Sequence, residues 1–321
     1  MPSISAKAPG KIILLGEHAV VYDQPAIAIP VKEVYAKVVV SPAPDRPPGE
    51  VWLEAPDIDL NQALSDLPVD HAFQALISAL TQKMGVSRLP AMKLTIHSTI
   101  PIAAGMGSGA AISVAVIRAV CGFLNYQISD QQVNELAYLA EKSYHGTPSG
   151  IDNTVITFEK PIFFTRGQPI EPLDISGEFT FVIADTGIPS RTVEVVSDVR
   201  KRWSSQPEIY ELYFQSIGII VRKARECMKR GDPDQLGLFM NENHNLLQKI
   251  HVSSPELDSL VAAARQAGAL GAKLSGAGWG GNMIALIQES KVDRLRQALI
   301  QSGASRVITT HLQTNPKVLI E

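Results

Sequence analysis

Residues 101–116 read PIAAGMGSGAAISVAV. Three glycines at alternate positions, Gly105, Gly107 and Gly109, run straight into an apolar, helix-like stretch. The spacing Gly105-x-Gly107-x-x-Ala110 formally fits a dinucleotide-binding fingerprint. That fingerprint should follow a buried parallel strand and should be answered by an acidic residue about 20 positions on. The preceding segment, MKLTIHSTI (92–100), alternates apolar and polar, which suits an antiparallel or mixed sheet with one wet face. The acid at the right distance, Asp130, reads as part of a helix cap. A Walker loop must close on Gly-Lys-Ser/Thr, whereas this one closes on Gly109-Ala110-Ala111. What is left is a backbone cradle. Glycines permit positive φ and close approach to a ligand. A helix beginning near Ala110 turns free N–H groups and its positive dipole end toward the loop, and Ser108 adds a hydroxyl. These residues favour a bound phosphate over a plain turn.

The chain of 321 residues allows two domains of ordinary size, and 45% hydrophobic with 19% charged residues is a globular composition. A net charge of −3 leaves no basic footprint for nucleic acid. The one dense basic cluster, Arg200-Lys201-Arg202, reads as a solvated helix face. The two cysteines, Cys121 and Cys227, form no CxxC and read as thiols of a reducing compartment. No apolar run reaches the roughly 20 residues of a membrane span, and the N-terminus has no signal-peptide pattern. The expectation is a cytoplasmic protein with neither a nucleic-acid nor a membrane partner.

Residues 1–40 read as strands (KIILLGEHAVV, AIAIPV, YAKVVVSP), followed by a Pro-rich loop over 42–50. Helices are predicted over 71–85, 110–124 and 129–146, the last opened by a Ser/Asp cap. After PSGIDNTVITF the chain returns to strand, with FTFVIADTG (179–187) strongly apolar. Helices follow over 207–230, 233–249, 255–267 and 291–302, with strand-like GAKLSGAGWGGNMIALI between them and a last strand near 305–311. The class is α+β, with a domain junction near 177–180, giving domains 1–178 and 179–321.

Two further segments join the glycine loop: KAPGKIILLGEHAVVYDQPAIAIP (7–30) and KLSGAGWGGNMIAL (273–286). With all three in view, the chain resembles the GHMP kinases, the family of galactokinase, homoserine kinase, mevalonate kinase and phosphomevalonate kinase. PGKIILLGEHAVVY looks like the first family motif, PIAAGMGSGAA like the phosphate loop, and KLSGAGWGG like the third motif, in family order across nearly the whole chain. Within the family, GEHAVVYDQPAIA and HGTPSGIDN look most like the branch that phosphorylates mevalonate. The resemblance implies a two-domain fold, with an N-terminal ribosomal-protein-S5-like domain and a C-terminal ferredoxin-like domain. It implies ATP and Mg²⁺ as the cofactors and transfer of phosphate to the primary hydroxyl of mevalonate. Sister kinases such as phosphomevalonate kinase, and an inactive nucleotide-binding regulator, are the alternatives. Family members are often dimers, so a homodimer is also expected.

The resemblance carries roles onto individual residues. Asp152, in PSGID, becomes the group that accepts or orients the substrate hydroxyl proton; a bare Asp after Ser-Gly would otherwise read as a turn residue. Lys11 is implied to lie beside it and to stabilise developing negative charge. Pro101, Gly105, Met106, Gly107, Ser108, Gly109 and Ala110 become the ATP cradle. Glu141 sits late in a helix, where a carboxylate is locally unfavourable, and with Ser108 becomes a Mg²⁺ ligand. Glu17, His18 and Thr192 become the substrate contacts. His145 reads as structural, and Ser149 as a phosphate or metal contact. The chain departs from the family at one point: Gly107-Ser108-Gly109 stands where Gly-Ser-Ser is usual, which removes one hydroxyl and leaves the backbone cradle intact.

Overall fold

The computed structural model describes residues 2–101, 104–145 and 149–313, and the side chains of 143–145 fall outside that description. The chain forms two compact units. One is drawn from residues 1–11, 30–102 and 106–159, the other from 12–29, 103–105 and 160–321.

In the first unit, strands β1 (Ile4–Leu15) and β2 (Ala26–Pro42) are followed by β3 (Val51–Ala55), β4 (Leu60–Ala63) and β5 (Met92–Ser98). Both long strands continue into the second unit. β5 runs antiparallel to β2, with Ala36 opposite Ser98, and parallel to β3, with Val51 opposite Met92. The sheet is therefore mixed, as the alternation of 92–100 indicates: Met92, Leu94 and Ile96 are buried while Lys93, Thr95 and His97 are not. Helix α1 (Ala72–Met84), helix α2 (Ser108–Phe123), helix α3 (Asp130–His145) and helix α4 (Ile151–Phe158) complete the unit. α2 is apolar nearly all round and packs against β5, α1, α3 and α4. A helix of that composition must be central, and its position fixes the glycine loop at its N-terminus. α3 opens on a reciprocal cap: Ser129 Oγ accepts from Gln132 N–H, and Gln132 Oε1 accepts from Ser129 N–H. Asp130 pairs with Arg118 at 2.9 Å, which confirms its structural reading.

The second unit holds β6 (Ile162–Phe164), β7 (Glu171–Pro172), β8 (Glu178–Asp185), α5 (Thr192–Ser205), α6 (Pro207–Arg230), α7 (Pro233–Lys249), α8 (Pro255–Gln266), β9 (Gly271–Ser275), β10 (Asn282–Ile287), α9 (Val292–Gln301) and β11 (Arg306–Gln313). β6 pairs with the start of β2, Ala26 opposite Phe164. The sheet order β11-β8-β10-β9 is antiparallel throughout. Counted within the sheet it is 4-1-3-2, the ferredoxin-like order. α7 and α8 cover β9, and every residue of β10 is buried.

The structure differs from the sequence reading at three places. GEHAVV does not continue the first strand: β1 ends at Leu15, Gly16 takes φ 99° and His18 φ 60°, and a short 3-10 turn spans Ala19–Tyr22. VWLEA and LNQA, just beyond the Pro-rich loop, add β3 and β4. Within PSGIDNTVITF, Ile151–Phe158 is helix α4. Among the described residues no helix is long and apolar enough to cross a membrane.

Candidate active site

The glycine loop is built as a cradle, with one change from expectation. Gly105 and Gly107 have φ of 72° and 74°, but α2 starts at Ser108, so Gly109 is a helical residue with no positive φ. Gly107 is the residue that must lack a side chain. A Cβ there would come within 2.9 Å of Ile156 Cδ1 and 3.0 Å of Lys11 Cγ. The Met106 carbonyl accepts from the Lys11 N–H at 3.0 Å, and Met106 itself is buried. The loop and the lysine therefore hold each other in place. Free N–H groups of the first turn of α2, beginning at Ser108, Gly109 and Ala110, are the phosphate donors this geometry offers. Pro101 is half-buried ahead of the loop, and residues 102 and 103 lie outside the described residues.

Lys11 Nζ lies 2.9 Å from Asp152 Oδ1. Asp152 is in the first turn of α4, where the helix dipole favours a carboxylate. That helix is anchored by a buried amide network: Asn153 Nδ2 donates to Asn134 Oδ1 at 2.6 Å, and Thr154 Oγ1 donates to the Gly150 carbonyl at 2.7 Å. Ser149 is exposed, and its Oγ accepts from Ile151 N–H at 3.3 Å, so it helps to open the helix. Glu141, on α3, is buried. Its burial first, and then the negative charge of Asp152, push its carboxyl up to about 8, against the pull of Lys11. Two carboxyls and one ammonium thus act on one another here, and the raised Glu141 carboxyl keeps its proton at neutral pH beside the Lys11–Asp152 pair. The His145 side chain lies outside the described residues.

In the second unit, Glu17 and His18 occupy the turn after β1. His18 is buried and its Nε2–H donates to the Ala277 carbonyl at 2.8 Å. Burial lowers its pKa to about 4, in spite of that hydrogen bond. The ring is neutral, with its proton on Nε2 and its Nδ1 an acceptor. Glu17 is only 1% exposed; one oxygen takes the ammonium of Lys273 and the other accepts from Asn243 Nδ2 at 3.4 Å. Lys273 also donates to the Leu274 carbonyl at 2.5 Å. Both Glu17 oxygens are thus engaged inside the protein. Thr192 is exposed as the first residue of α5; the helix cap is Arg191, so the threonine has no capping role.

Residues 71–160 match the family model for the GHMP kinases N-terminal domain, and residues 224–305 that for the GHMP kinases C-terminal domain. The chain is 35% identical to a mevalonate kinase of Pyrococcus abyssi, over 95% of each protein. It is 34% identical to a mevalonate kinase of Aeropyrum pernix, over 93% of each. The crystal structure of L. major mevalonate kinase in complex with R-mevalonate matches with a TM-score of 0.83 at 30% identity, covering 97% of this chain and 96% of that one. The chain belongs to the GHMP kinase family. It is an ATP-dependent small-molecule kinase.

Among the described residues of this GHMP kinase, no group of three or more His, Cys, Asp or Glu could hold a metal ion unaided. A nucleotide-borne Mg²⁺ does not require one, because it keeps waters and phosphate oxygens and takes only one or two carboxylates. Glu141 fits that need: it is a buried oxygen donor next to a second carboxylate, and a divalent cation would displace its proton. The Ser108 hydroxyl, at the start of α2, is a suitable neutral ligand.

Three neighbours of the assigned residues escape the sequence reading: Lys273, which opens the third motif but is given no role, Asn243 and Asn134. Lys273 did carry a signal, since a lysine inside the apolar strand GAKLS must find a buried anion. Glu17, in the first GHMP motif, is that anion.

Proposed function

We propose that this kinase transfers the γ-phosphoryl group of ATP to the primary hydroxyl of mevalonate, giving 5-phosphomevalonate for isoprenoid precursor synthesis. The observation that carries the reading is the Lys11–Asp152 pair, 2.9 Å apart, with Lys11 fixed by the glycine loop through the Met106 carbonyl. The mevalonate kinases with which the chain shares about a third of its residues support the choice of alcohol.

Phosphoryl transfer is mainly positioning and charge stabilisation. In this reading the N–H groups of Ser108, Gly109 and Ala110 hold the phosphates. Asp152 orients the attacking hydroxyl and takes its proton, and Lys11 stabilises the charge that builds on the transferring group. Glu141 and Ser108 would hold Mg²⁺, which supplies neutralisation of the phosphate oxygens. His18 offers Nδ1 as an acceptor, so it takes a substrate hydroxyl and not the carboxylate. Thr192 supplies a hydroxyl to the acid end. Arg191, the other cation near it in sequence, is highly exposed and pairs with Glu194 at 3.4 Å. That suits a substrate without a second phosphate. Glu17, which the motif suggests as a substrate contact, we read as support for His18.

The two family models fall on either side of residue 178, which supports a functional division into 1–178 and 179–321. Both cysteines are free and buried, which supports a reducing, cytoplasmic location. The test is ADP release from Mg-ATP over a panel of small alcohols. The reading requires mevalonate to give the highest kcat/KM.

A further inference from the structure

Two successive backbone carbonyls of the third glycine segment each receive a side chain from the substrate side of the second unit. The Ala277 carbonyl accepts from His18 Nε2–H at 2.8 Å, and the Gly278 carbonyl accepts from the Ser190 hydroxyl at 2.9 Å. Ser190 lies two residues before Thr192, which opens α5. Neighbouring carbonyls thus hold two arms of the chain, one bearing His18 and the other leading into Thr192. All of these residues belong to the second unit.

The platform that presents the carbonyls is pinned. The Trp279 N–H donates to the Val252 carbonyl at 2.9 Å and its Nε1–H to the His251 carbonyl at 2.8 Å. These bonds hold a large side chain at φ 54°, where only surrounding structure can keep it. Gly278 takes φ 92°, and a Cβ there would run into the Val252 carbonyl. The arm ahead of α5 is fastened to the same loop. The Gly281 N–H donates to the Ile188 carbonyl at 2.8 Å, and the Thr186 N–H donates to the Gly281 carbonyl at 2.9 Å. The first turn of α5 is not held by a cap: its N-cap residue, Arg191, makes no side-chain cap hydrogen bond, and Thr192 is exposed. The direction of Thr192 therefore depends on the attachment of the arm before it, and Ser190 is the side chain that makes this attachment nearest to the helix.

We propose that Ser190 is a positioning residue for the alcohol substrate. Its bond to the Gly278 carbonyl fixes Thr192 at a set distance from His18, so that a substrate hydroxyl and the acid end are bound together; this rests on the substrate roles given to His18 and Thr192 under the proposed function. Loss of the bond loosens Thr192 and leaves Lys11, Asp152 and the phosphate cradle in place. The change therefore falls on binding of the alcohol and not on phosphoryl transfer.

Steady-state kinetics of the full chain, with Mg-ATP and the alcohol of highest kcat/KM, test it. Ser190→Ala should raise KM for the alcohol about fivefold, the worth of one such hydrogen bond. It should leave kcat and KM for ATP within about twofold and keep the melting temperature. Thr192→Val should raise KM for the alcohol by itself, and Ser190→Ala added to it should raise it no further. Equal changes in KM for the alcohol and for ATP, or a lowered melting temperature with KM for the alcohol unchanged, overturn the proposal. So do KM increases that multiply in the double variant. A parent that prefers an alcohol other than mevalonate overturns the substrate reading alone, because the coupling of Ser190 to Thr192 is read on whichever alcohol is used.

Discussion

Lys11 Nζ and Asp152 Oδ1 are 2.9 Å apart, with the lysine side chain 6% and the aspartate 28% exposed. The ammonium is therefore buried by the protein while the carboxylate keeps an open side. A surface ion pair would leave both ends wet and contribute little. Here the lysine is fixed from behind and the aspartate is free to meet an incoming hydroxyl.

Asp152→Asn keeps the shape of that open side and removes the proton acceptor. We expect kcat to fall by about 10²–10⁴, the usual contribution of a positioned acid–base group, with ATP affinity kept. Steady-state kinetics and nucleotide titration check it. A kcat within about threefold of the parent would take Asp152 out of the reaction.

Glu141 gives a pH signature. Its carboxyl is raised from 4.5 in the unfolded chain to about 8 in the folded one. Its contribution is fully stabilising below the unfolded value and is lost as pH rises through about 8. Glu141→Gln removes the loss. Without nucleotide, the variant should melt higher than the parent by a margin that widens from pH 5 to pH 8 and then levels. With Mg-ATP it should be nearly inactive. Melting curves across that range decide it, and a margin independent of pH would refute the assignment.

Gly107 and Gly109 look alike in sequence and should behave in opposite ways. Gly109 is helical, and a Cβ there meets nothing within 4 Å. Gly109→Ser, which restores the usual family loop, should fold at least as well as the parent because serine is the better helix residue. Gly107→Ala forces a side chain onto φ 74° and against Lys11, which should cost roughly 1–2 kcal/mol and lower kcat. The contrast fails if both variants lose stability equally.

Most of the first unit's site was legible because each part had a local signature. The glycine spacing, the apolar α2 and the alternating β5 are all short-range patterns, and β5 does sit in a mixed sheet. Gly109 misled because helix α2 starts two residues earlier than its apolar run suggests, which turns a loop glycine into a helical one. α4 was missed because eight residues are too few for periodicity, and it is held by burial of Ile151, Val155 and Ile156 and by the Asn134–Asn153 amide pair across 19 residues. The Glu17–Lys273 pairing was harder, since it joins residues 256 apart. Only the cost of an unpaired buried lysine could have pointed to it.

That pair can be tested directly. Burial pushes Glu17 up and Lys273 down, and the charge of each partner pulls the other back toward its ionised form. Removing one partner strands a buried charge, so Glu17→Gln or Lys273→Met alone should cost about 3–5 kcal/mol. The double variant should recover much of this, because neither charge is left. Urea denaturation of the four proteins gives the coupling directly, and strictly additive losses would mean that the pair is not the unit.

ADP release measured side by side with Mg-ATP and either mevalonate or 5-phosphomevalonate decides the choice of substrate. His18 is neutral with its N–H already used, and Arg191 is exposed and paired with Glu194, so the residues assigned to the alcohol offer little for a second phosphate. Mevalonate should give rapid ADP release with phosphate on its primary hydroxyl, and 5-phosphomevalonate only a background rate. Faster release with 5-phosphomevalonate than with mevalonate would contradict it.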